Sequence, residues 1–186
     1  MNVYDFDGTI YRGDSSVDFY KYCLMRFPWL ILLLPYQLLM IVAYKTGFCS
    51  KEKEKSAYFS FLKFIPDFHF YVEKFWEQNK NRIASWYLHQ QKDDDLIISA
   101  SPDFLLRPVC KKIGVNHLIA SIVNPNTGKL ESNNCFGQEK VIRFQTTFPH
   151  ASINKFYSDS KSDKPLASMA QTAYFVKNGS HISKWI

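Results

Sequence analysis

Near the start of the chain, Asp5-Phe6-Asp7-Gly8-Thr9 directly follows the short apolar run Val3-Tyr4. On an extended segment, side chains at positions i and i+2 point the same way, so Asp5 and Asp7 can face one metal ion and one substrate. An Asp carboxylate can act as a nucleophile, and a second carboxylate can protonate the leaving group and then activate water. The alternative is a polar strand end that turns at Asp-Gly, so the interpretation depends on matches further along the chain.

The run Leu96-Ile97-Ile98-Ser99-Ala100-Ser101-Pro102 predicts a buried parallel strand followed by a loop. Ser101 is expected to be a helix N-cap, with Pro102 at the first helical position. Ser99 would then lie near a helix N-terminus, where backbone N–H groups favour an anion. A serine at a strand end with no ligand is the alternative.

Two further motifs carry charge near the end of the chain. Lys140 is expected at the start of a helix, where it is either solvated or neutralises a phosphate or crowded carboxylates. Asp159 is expected to end a strand, and Asp163 follows four residues later. Because Mg²⁺ prefers a few carboxylate oxygens together with water and phosphate, Asp159 suits a direct ligand and Asp163 an outer one. A polar turn that caps a helix is the alternative.

The chain carries four motifs in a fixed order: Asp-x-Asp-Gly-Thr, an apolar strand ending in Ser, a Lys, and then Asp-x-x-x-Asp. In this order of motifs the chain resembles the haloacid dehalogenase (HAD) superfamily. The resemblance implies an α/β fold, with a Rossmannoid parallel sheet core and an inserted helical cap. It also implies that the motifs meet at the carboxyl edge of the sheet, where open α/β sheets bind ligands.

The resemblance implies a role for each motif residue. Asp5 resembles the nucleophile, and Asp7 resembles the general acid and base. The implied phosphate-binding residues are Ser99, Lys140, Gly8, Thr9 and Ala100. The implied metal ligands are Asp5, Asp7 through its carbonyl, Asp159 and Asp163, and the implied cofactor is Mg²⁺.

The acid at position 7 narrows the implied chemistry. In this superfamily, ion-pumping ATPases carry Thr at that position and dehalogenases lack the acid, whereas Asp7 resembles a phosphatase or phosphomutase. The expected function is therefore magnesium-dependent hydrolysis of a phosphomonoester through an aspartyl-phosphate. The net charge of +6 comes from scattered basic residues, and no nucleic-acid motif is present.

The spacing of the motifs predicts the domain organisation. About ninety residues separate the first motif from Ser99, although a strand-to-strand crossover needs only about a dozen. The excess predicts a helical cap at residues 13–90, inserted into a discontinuous core of residues 1–12 and 91–186. Within the cap, Lys51-Glu52-Lys53-Glu54-Lys55 is expected to be a solvated helix start. After Ser99 we expect helices at 102–113, 137–147 and 164–170, strands at 118–123, 153–158 and 173–177, and a last strand ending at Ile186.

Phe27–Tyr44 is a run of eighteen residues without a charge. Its length is marginal for a membrane span. A single span would also place Asp5 and Ser99 on opposite sides of the membrane, which the shared site excludes. Two interpretations stay open: a buried hairpin broken near Pro35, or a segment in the membrane interface anchored by Trp29, Tyr36 and Tyr44. The four cysteines show no C-x-x-C spacing and indicate reduced thiols. We therefore expect a cytoplasmic protein, either free or membrane-associated through this segment.

The chain resembles the phosphoserine-phosphatase-like branch of the superfamily, and most closely its bacterial phosphatidylglycerophosphatase C-type proteins. The residues that carry this resemblance are Ser99–Pro102, Phe136–Val141 and Tyr157–Ser160, together with the proline-broken apolar cap. Phosphoserine phosphatases typically have Ser-Gly-Gly where this chain has Ser99-Ala100-Ser101. Three functions stay open: a phosphatase of a lipid phosphate such as phosphatidylglycerophosphate, a soluble small-metabolite phosphatase, and a non-catalytic binding module.

Overall fold

Six strands form one sheet in the computed structural model, which describes residues 1–185. The strands are β1 Val3–Tyr4, β2 Leu96–Pro102, β3 His117–Ser121, β4 Ile153–Ser158, β5 Ala170–Lys177 and β6 His181–Lys184. Their order across the sheet is β3-β2-β1-β4-β5-β6, and all neighbours are parallel except β5 and β6. This mostly parallel sheet with its helices confirms the predicted α/β Rossmannoid fold class.

Eight α-helices occur within residues 1–185. They are α1 Ser15–Arg26, α2 Leu34–Lys45, α3 Lys51–Tyr58, α4 Phe68–Asn79, α5 Ser85–Gln90, α6 Asp103–Lys112, α7 Gln138–Thr147 and α8 Lys164–Ala167. Short 3-10 helices cover Pro28–Leu33, Phe59–Phe64, Lys80–Arg82 and Lys161–Asp163. Helices α1–α5 all lie between β1 and β2 in the chain, and we call them the helical insertion.

The central strands are buried on both faces, as the apolar runs of β1 and β2 require. Val3, Leu96 and Ile98 pack in one hydrophobic cluster together with residues of α7 and α8. Tyr4 and Ile97 point to the opposite face and pack in a second, larger cluster. Because successive side chains of a strand alternate between faces, β1 and β2 each contribute to both clusters.

The helical insertion shares the second cluster with the sheet. Trp76 of α4 lies edge-on to Phe6, with ring centroids 5.9 Å apart, and edge-on to Tyr11 at 5.4 Å. The Trp76 indole N–H donates to the carbonyl of Leu105 in α6, at 2.7 Å. The insertion therefore packs directly on the sheet face and on the loop that follows β1.

Most predicted elements after Ser99 agree with the structure within a few residues. The helix predicted at 164–170 is shorter, because α8 ends at Ala167 and Ala170 already pairs with Ile153 of β4. Asn178 and Gly179 both have positive φ and form the predicted turn into β6. The predicted end of the last strand at Ile186 lies outside the described residues.

The charge-free segment is a 3-10 helix that continues into α2, and it changes geometry beside Pro35. Pro28–Lys45 is the one helical stretch of the described chain that is long and apolar enough to cross a membrane, judged by length and composition. Only 11% of this stretch is buried. The interpretation as a buried hairpin is therefore wrong, because most of the apolar side chains are exposed and few, such as Leu30, are buried.

Candidate active site

The carboxyl ends of β1, β2 and β4 meet at one edge of the sheet. Asp5 directly follows β1, and its N–H donates to the Tyr157 carbonyl of β4 at 2.8 Å. A cavity of about 820 Å³ opens at this edge. The predicted site residues that line it are Asp5, Asp7, Gly8, Ser99, Ala100, Lys140, Asp159 and Asp163. Residues far apart in the sequence are thus brought together by the strand order.

Lys140 joins two of these carboxylates. Its Nζ lies 2.9 Å from Asp5 Oδ1 and 2.7 Å from Asp163 Oδ2, and the side chain is 2% exposed. The Ser158 hydroxyl also donates to Asp163 Oδ2, at 2.7 Å. Burial by itself lowers the pKa of Lys140, but attraction by Asp5 and Asp163 raises it above its ordinary value. Lys140 is therefore a fixed cation in the first turn of α7.

Asp5 lines the cavity, and one of its carboxylate oxygens is paired with Lys140 while the other is not. Burial raises the pKa of Asp5 to about 7, while Lys140 opposes this shift. Lys140 bonds to Oδ1 only, so Oδ2 has no ion-pair partner among the described residues. A carboxylate oxygen without an ion-pair partner at a cavity is one that can act as a nucleophile.

Asp7 is held by two donors at the start of α1. Its Oδ1 accepts the Ser15 N–H at 2.6 Å, and its Oδ2 accepts the Ser101 hydroxyl. Burial raises the pKa of Asp7 to about 6, and Asp14 adds to this shift. A carboxyl group with a pKa raised toward neutrality suits proton transfer.

The prediction of Ser101 as a helix N-cap is wrong. β2 continues to Pro102, α6 begins at Asp103, and its N-cap residue Pro102 has no side-chain cap hydrogen bond. The Ser101 hydroxyl instead reaches Asp7, which is 94 residues away in the chain. Ser101 is thus a site residue that the sequence analysis assigned to local capping.

Ser99 and Ala100 line the cavity, whereas Thr9, which was also predicted to bind phosphate, is not among its lining residues. Ser99 Oγ accepts the Ser101 N–H at 3.1 Å, and Ser99 lines the cavity. The Ala100 carbonyl accepts a hydrogen bond from Lys55. Thr9 is fully buried, and its Oγ1 has no hydrogen-bond partner among residues 1–185. The phosphate-binding roles of these residues stay predictions.

The donor set at the carboxylate edge fits Mg²⁺. The Asp159 carboxylate lies so close to Gly8 that a Cβ there would approach its Oδ2 to 1.9 Å, and Gly8 has a φ of +69°. No group of three or more His, Cys, Asp and Glu side chains forms a ready metal cluster in the described part of the chain. Mg²⁺ needs only one or two carboxylates, since water and phosphate complete its shell. The carboxylates of Asp5 and Asp159 and the Asp7 carbonyl supply such oxygens, whereas Asp163 is engaged by Lys140.

The structure adds Lys55 and Asn134 to the site. The expectation that Lys55 is solvated is wrong, because its Nζ donates to the Ala100 carbonyl and, at 2.6 Å, to Asn134 Oδ1. Burial lowers the pKa of Lys55 to about 8. A signal was present in the sequence: Lys51, Lys55 and Tyr58 recur at three- to four-residue spacing, and all three line the cavity.

A family profile and one curated relative match this chain. The family profile for haloacid dehalogenase-like hydrolases matches residues 3–168, which is most of the chain. Protein CicA of Caulobacter vibrioides is 31% identical over 81 residues, which cover 40% of this chain and 36% of CicA. The match therefore spans little more than a third of that relative.

Two solved structures are similar along almost the whole chain. A protein of unknown function from Bordetella pertussis has a TM-score of 0.75 at 19% identity, and covers 93% of this chain and 87% of its own. A phosphoserine phosphohydrolase-like protein from Francisella tularensis has a TM-score of 0.60 at 14% identity, with 93% and 86% covered. At these identities, the similarity establishes the shared fold.

Proposed function

We propose that this chain, which belongs to the haloacid dehalogenase-like hydrolase family, is a magnesium-dependent phosphomonoesterase that acts through an aspartyl-phosphate. The observation that carries the proposal is the pair Asp5 and Asp7 in one cavity with different partners. Asp5 is paired with the cation Lys140, whereas Asp7 accepts hydrogen bonds from neutral donors. Two carboxylates in such different environments suit two different roles.

In the first step, Asp5 Oδ2 attacks phosphorus, and the bond from phosphorus to the alcohol oxygen breaks. Asp7 gives its proton to the departing oxygen, so the product is a neutral alcohol. Lys140 holds Asp5 in place and offsets negative charge as the phosphoryl group transfers. Asp5, Asp159 and the Asp7 carbonyl would hold Mg²⁺, which would supply further positive charge for the transfer.

In the second step, Asp7 takes a proton from water, and the water oxygen attacks phosphorus. The bond from phosphorus to Asp5 breaks, which releases phosphate and restores the Asp5 carboxylate. Asp7 is then protonated again for the next turnover. The same residue thus serves first as acid and then as base, which its raised pKa suits.

The helical insertion supplies one wall of the site and acts as its cap in this proposal. Lys51, Glu54, Lys55 and Tyr58 of α3 line the cavity opposite the motif residues. A wall of this kind excludes water during the first step and contacts the alcohol part of the substrate. In this proposal, the helical insertion therefore determines which substrate is accepted.

The finer proposal is a lipid phosphate substrate such as phosphatidylglycerophosphate. It rests on the exposed apolar surface of Pro28–Lys45, whose last turn approaches the cavity: Lys51 Nζ lies 4.8 Å from the ring centroid of Tyr44. A soluble metabolite such as phosphoserine is the second candidate, favoured by the similarity to a phosphoserine phosphohydrolase-like protein. A non-catalytic binding module is disfavoured, because Asp5, Asp7 and Lys140 converge in one cavity.

A phosphate-release screen tests both levels of the proposal. The substrates are lysophosphatidate, phosphatidylglycerophosphate in detergent, phosphoserine and sugar phosphates, each with Mg²⁺ and with excess chelator. We expect Mg²⁺-dependent release that is fastest from a lipid phosphate. Fastest release from phosphoserine would select the soluble alternative, and full activity in chelator would contradict the metal assignment.

A further inference from the structure

A stripe of apolar side chains runs along the outside of Pro28–Lys45. Trp29, Leu32, Tyr36, Leu39 and Val42 are all exposed, and each lies three or four residues from the next. Residues at this spacing are neighbours on a helix surface, so they form one continuous row, which we call the outer stripe. Leu32 is 79% exposed and Leu39 is 63% exposed. Soluble proteins seldom expose such a row unless a partner covers it.

The inner side of the same helix carries a buried polar residue as well as apolar contacts of Leu33 and Leu34 with the core. Gln37 is the one buried residue of α2 and is 4% exposed. Its Oε1 accepts the Tyr20 hydroxyl at 2.8 Å, and its Nε2 donates to the Tyr58 carbonyl at 3.0 Å. Rotating α2 to bury the outer stripe would break both bonds and leave these polar groups without partners. The outward direction of the stripe is therefore built into the fold.

The charged residues that flank the outer stripe in the sequence are basic, although in the fold Glu52 lines a groove together with Tyr36 and Glu54 pairs with Lys51. No acidic residue occurs between Asp18 and Glu52, and the charged residues there are all basic: Lys21, Arg26, Lys45 and Lys51. From the apolar stripe and its basic surroundings, we infer that the cap docks onto the surface of an anionic lipid bilayer. The apolar side chains would enter the boundary between headgroups and acyl chains, while the basic side chains stay at the anionic headgroups. Trp29 and Tyr36 have the amphipathic rings that favour this depth.

The docking surface adjoins the catalytic cavity. Lys51 lies over the Tyr44 ring at the end of α2 and also lines the cavity. The helix lies on the bilayer and does not cross it alone, because β1 and β2, on either side of it in sequence, pair in one sheet. Docking thus brings the cavity to the headgroup layer. The consequence for the substrate, a phosphomonoester of a lipid headgroup, rests on the proposed function.

Vesicle co-sedimentation tests the docking. The wild type is compared with the double variant Leu32→Gln/Leu39→Gln, and the matched control is Leu88→Gln/Ile142→Gln, two exposed apolar residues outside the stripe. Vesicles contain phosphatidylglycerol and phosphatidylcholine in equal parts, or phosphatidylcholine alone. We expect the wild type and the control to bind anionic vesicles, and the stripe variant to bind at least about tenfold more weakly. Binding by the wild type should also weaken at high salt, because salt screens the basic residues.

Two outcomes would overturn the inference. In the first, the wild type does not bind anionic vesicles but forms a dimer in light scattering, and the stripe variant does not form that dimer. The stripe would then bind a second copy of the chain. The other is equal loss of binding in the stripe variant and the control. Hydrolysis of p-nitrophenyl phosphate by all three proteins verifies folding and catalysis. Vesicle binding without any hydrolysis would support docking while contradicting the proposed function.

Discussion

At the scale of single residues, one buried cation, Lys140, pairs with two carboxylates of the site. Lys140 bonds to Asp5 and to Asp163, and all three side chains are largely removed from solvent. A buried charge is tolerated only when it is paired and hydrogen-bonded. The lysine therefore links Asp5 to the loop after β4, and Asp5 and Asp163 should respond differently to substitution.

Asp5→Asn should abolish turnover while the fold persists. The amide has nearly the same shape, but it lacks the charge needed to attack phosphorus, and Lys140 keeps Asp163 as a partner. We expect phosphate release to fall by about a thousandfold or more, with a cooperative thermal transition retained. Substantial activity of the purified variant would contradict the covalent mechanism.

Asp159→Asn and Asp163→Asn should separate metal binding from stability. Asp159 has no ion pair among the described residues, so its loss should raise the Mg²⁺ concentration that gives half-maximal activity. Asp163 pairs with Lys140 at 2.7 Å, so its loss should lower the free energy of unfolding by about 2 kcal/mol or more. Mg²⁺ titrations and urea denaturation of both variants check this; equal effects on both measurements would refute the assignment.

Lys55→Met should weaken substrate binding. Lys55 lies in the cavity with neutral partners only, so its charge is available to an anionic substrate. We expect KM to rise about tenfold with little change in kcat, and the control Lys51→Met, whose residue pairs with Glu54, to have a smaller effect. Because the pKa of Lys55 is about 8, the wild-type KM should rise as the pH passes 8. That rise should be absent in Lys55→Met, and an unchanged pH profile would exclude this role.

At the scale of elements, the helical insertion contacts the rest of the chain in two ways. It shares a hydrophobic cluster with the sheet, and its backbone closely approaches a turn of the core at Gly128. The turn at residues 124–128, which lies between β3 and α7, contacts the 3-10 helix Phe59–Phe64 at Gly128. A Cβ at Gly128 would lie 2.3 Å from the Phe59 carbonyl oxygen, and the φ of Gly128 is +68°. This contact ties the core to the part of the insertion that follows α3.

Gly128→Ala should therefore cost more than backbone strain alone. Gly47 provides the matched control, since its φ is +81° and nothing lies within 4 Å of its Cβ position. We expect Gly47→Ala to lower the free energy of unfolding by about 1 kcal/mol, and Gly128→Ala to lower it further because the turn must move away from Phe59. Equal losses in urea denaturation would show that the contact is not tight.

At the scale of the whole molecule, both faces of the sheet bury thiols. Cys23, Cys110 and Cys135 are buried and free, and Cys49 is partly exposed. Burial raises the pKa of Cys23 and Cys110 to about 12 and that of Cys135 to about 11. These thiols stay protonated in the folded protein at pH values where the unfolded chain loses its protons.

The free energy of unfolding should consequently fall as the pH rises above 9. Each thiol has a folded pKa above its unfolded value, so its contribution is complete below pH 9 and is lost toward pH 11–12. Lys55 acts in the opposite direction above pH 8, so the series is measured in the Lys55→Met background. Burial also raises the pKa of Tyr4, Tyr11, Tyr58 and Tyr87, so the contribution of a thiol is the part of the decline that its replacement removes. In urea denaturation under reducing conditions, the free energy of unfolding of Cys110→Ala should decline less steeply with pH than that of the Lys55→Met parent. The free energy of unfolding of Cys49→Ala should decline as it does in the parent. Identical declines in both would refute this origin.

Much of the fold, and the position of the motif carboxylates at the ends of strands, could be predicted because the signals are local. The apolar runs that form β1 and β2 alternate between faces, and Asp5 and Asp159 each directly follow a strand. In a parallel sheet the carboxyl ends of neighbouring strands share one edge, and the resemblance to the family supplied the expectation that these motifs meet there.

Only the tertiary structure decided which other groups join that edge and which surface stays exposed. The Ser101 hydroxyl reaches Asp7 across 94 residues, and Lys55 reaches Ala100 across 45. The outward direction of α2 depends on Gln37, whose partners lie in α1 and α3. Local patterns cannot specify such pairings, because a side chain's choice between solvent and a distant partner depends on how the helices pack.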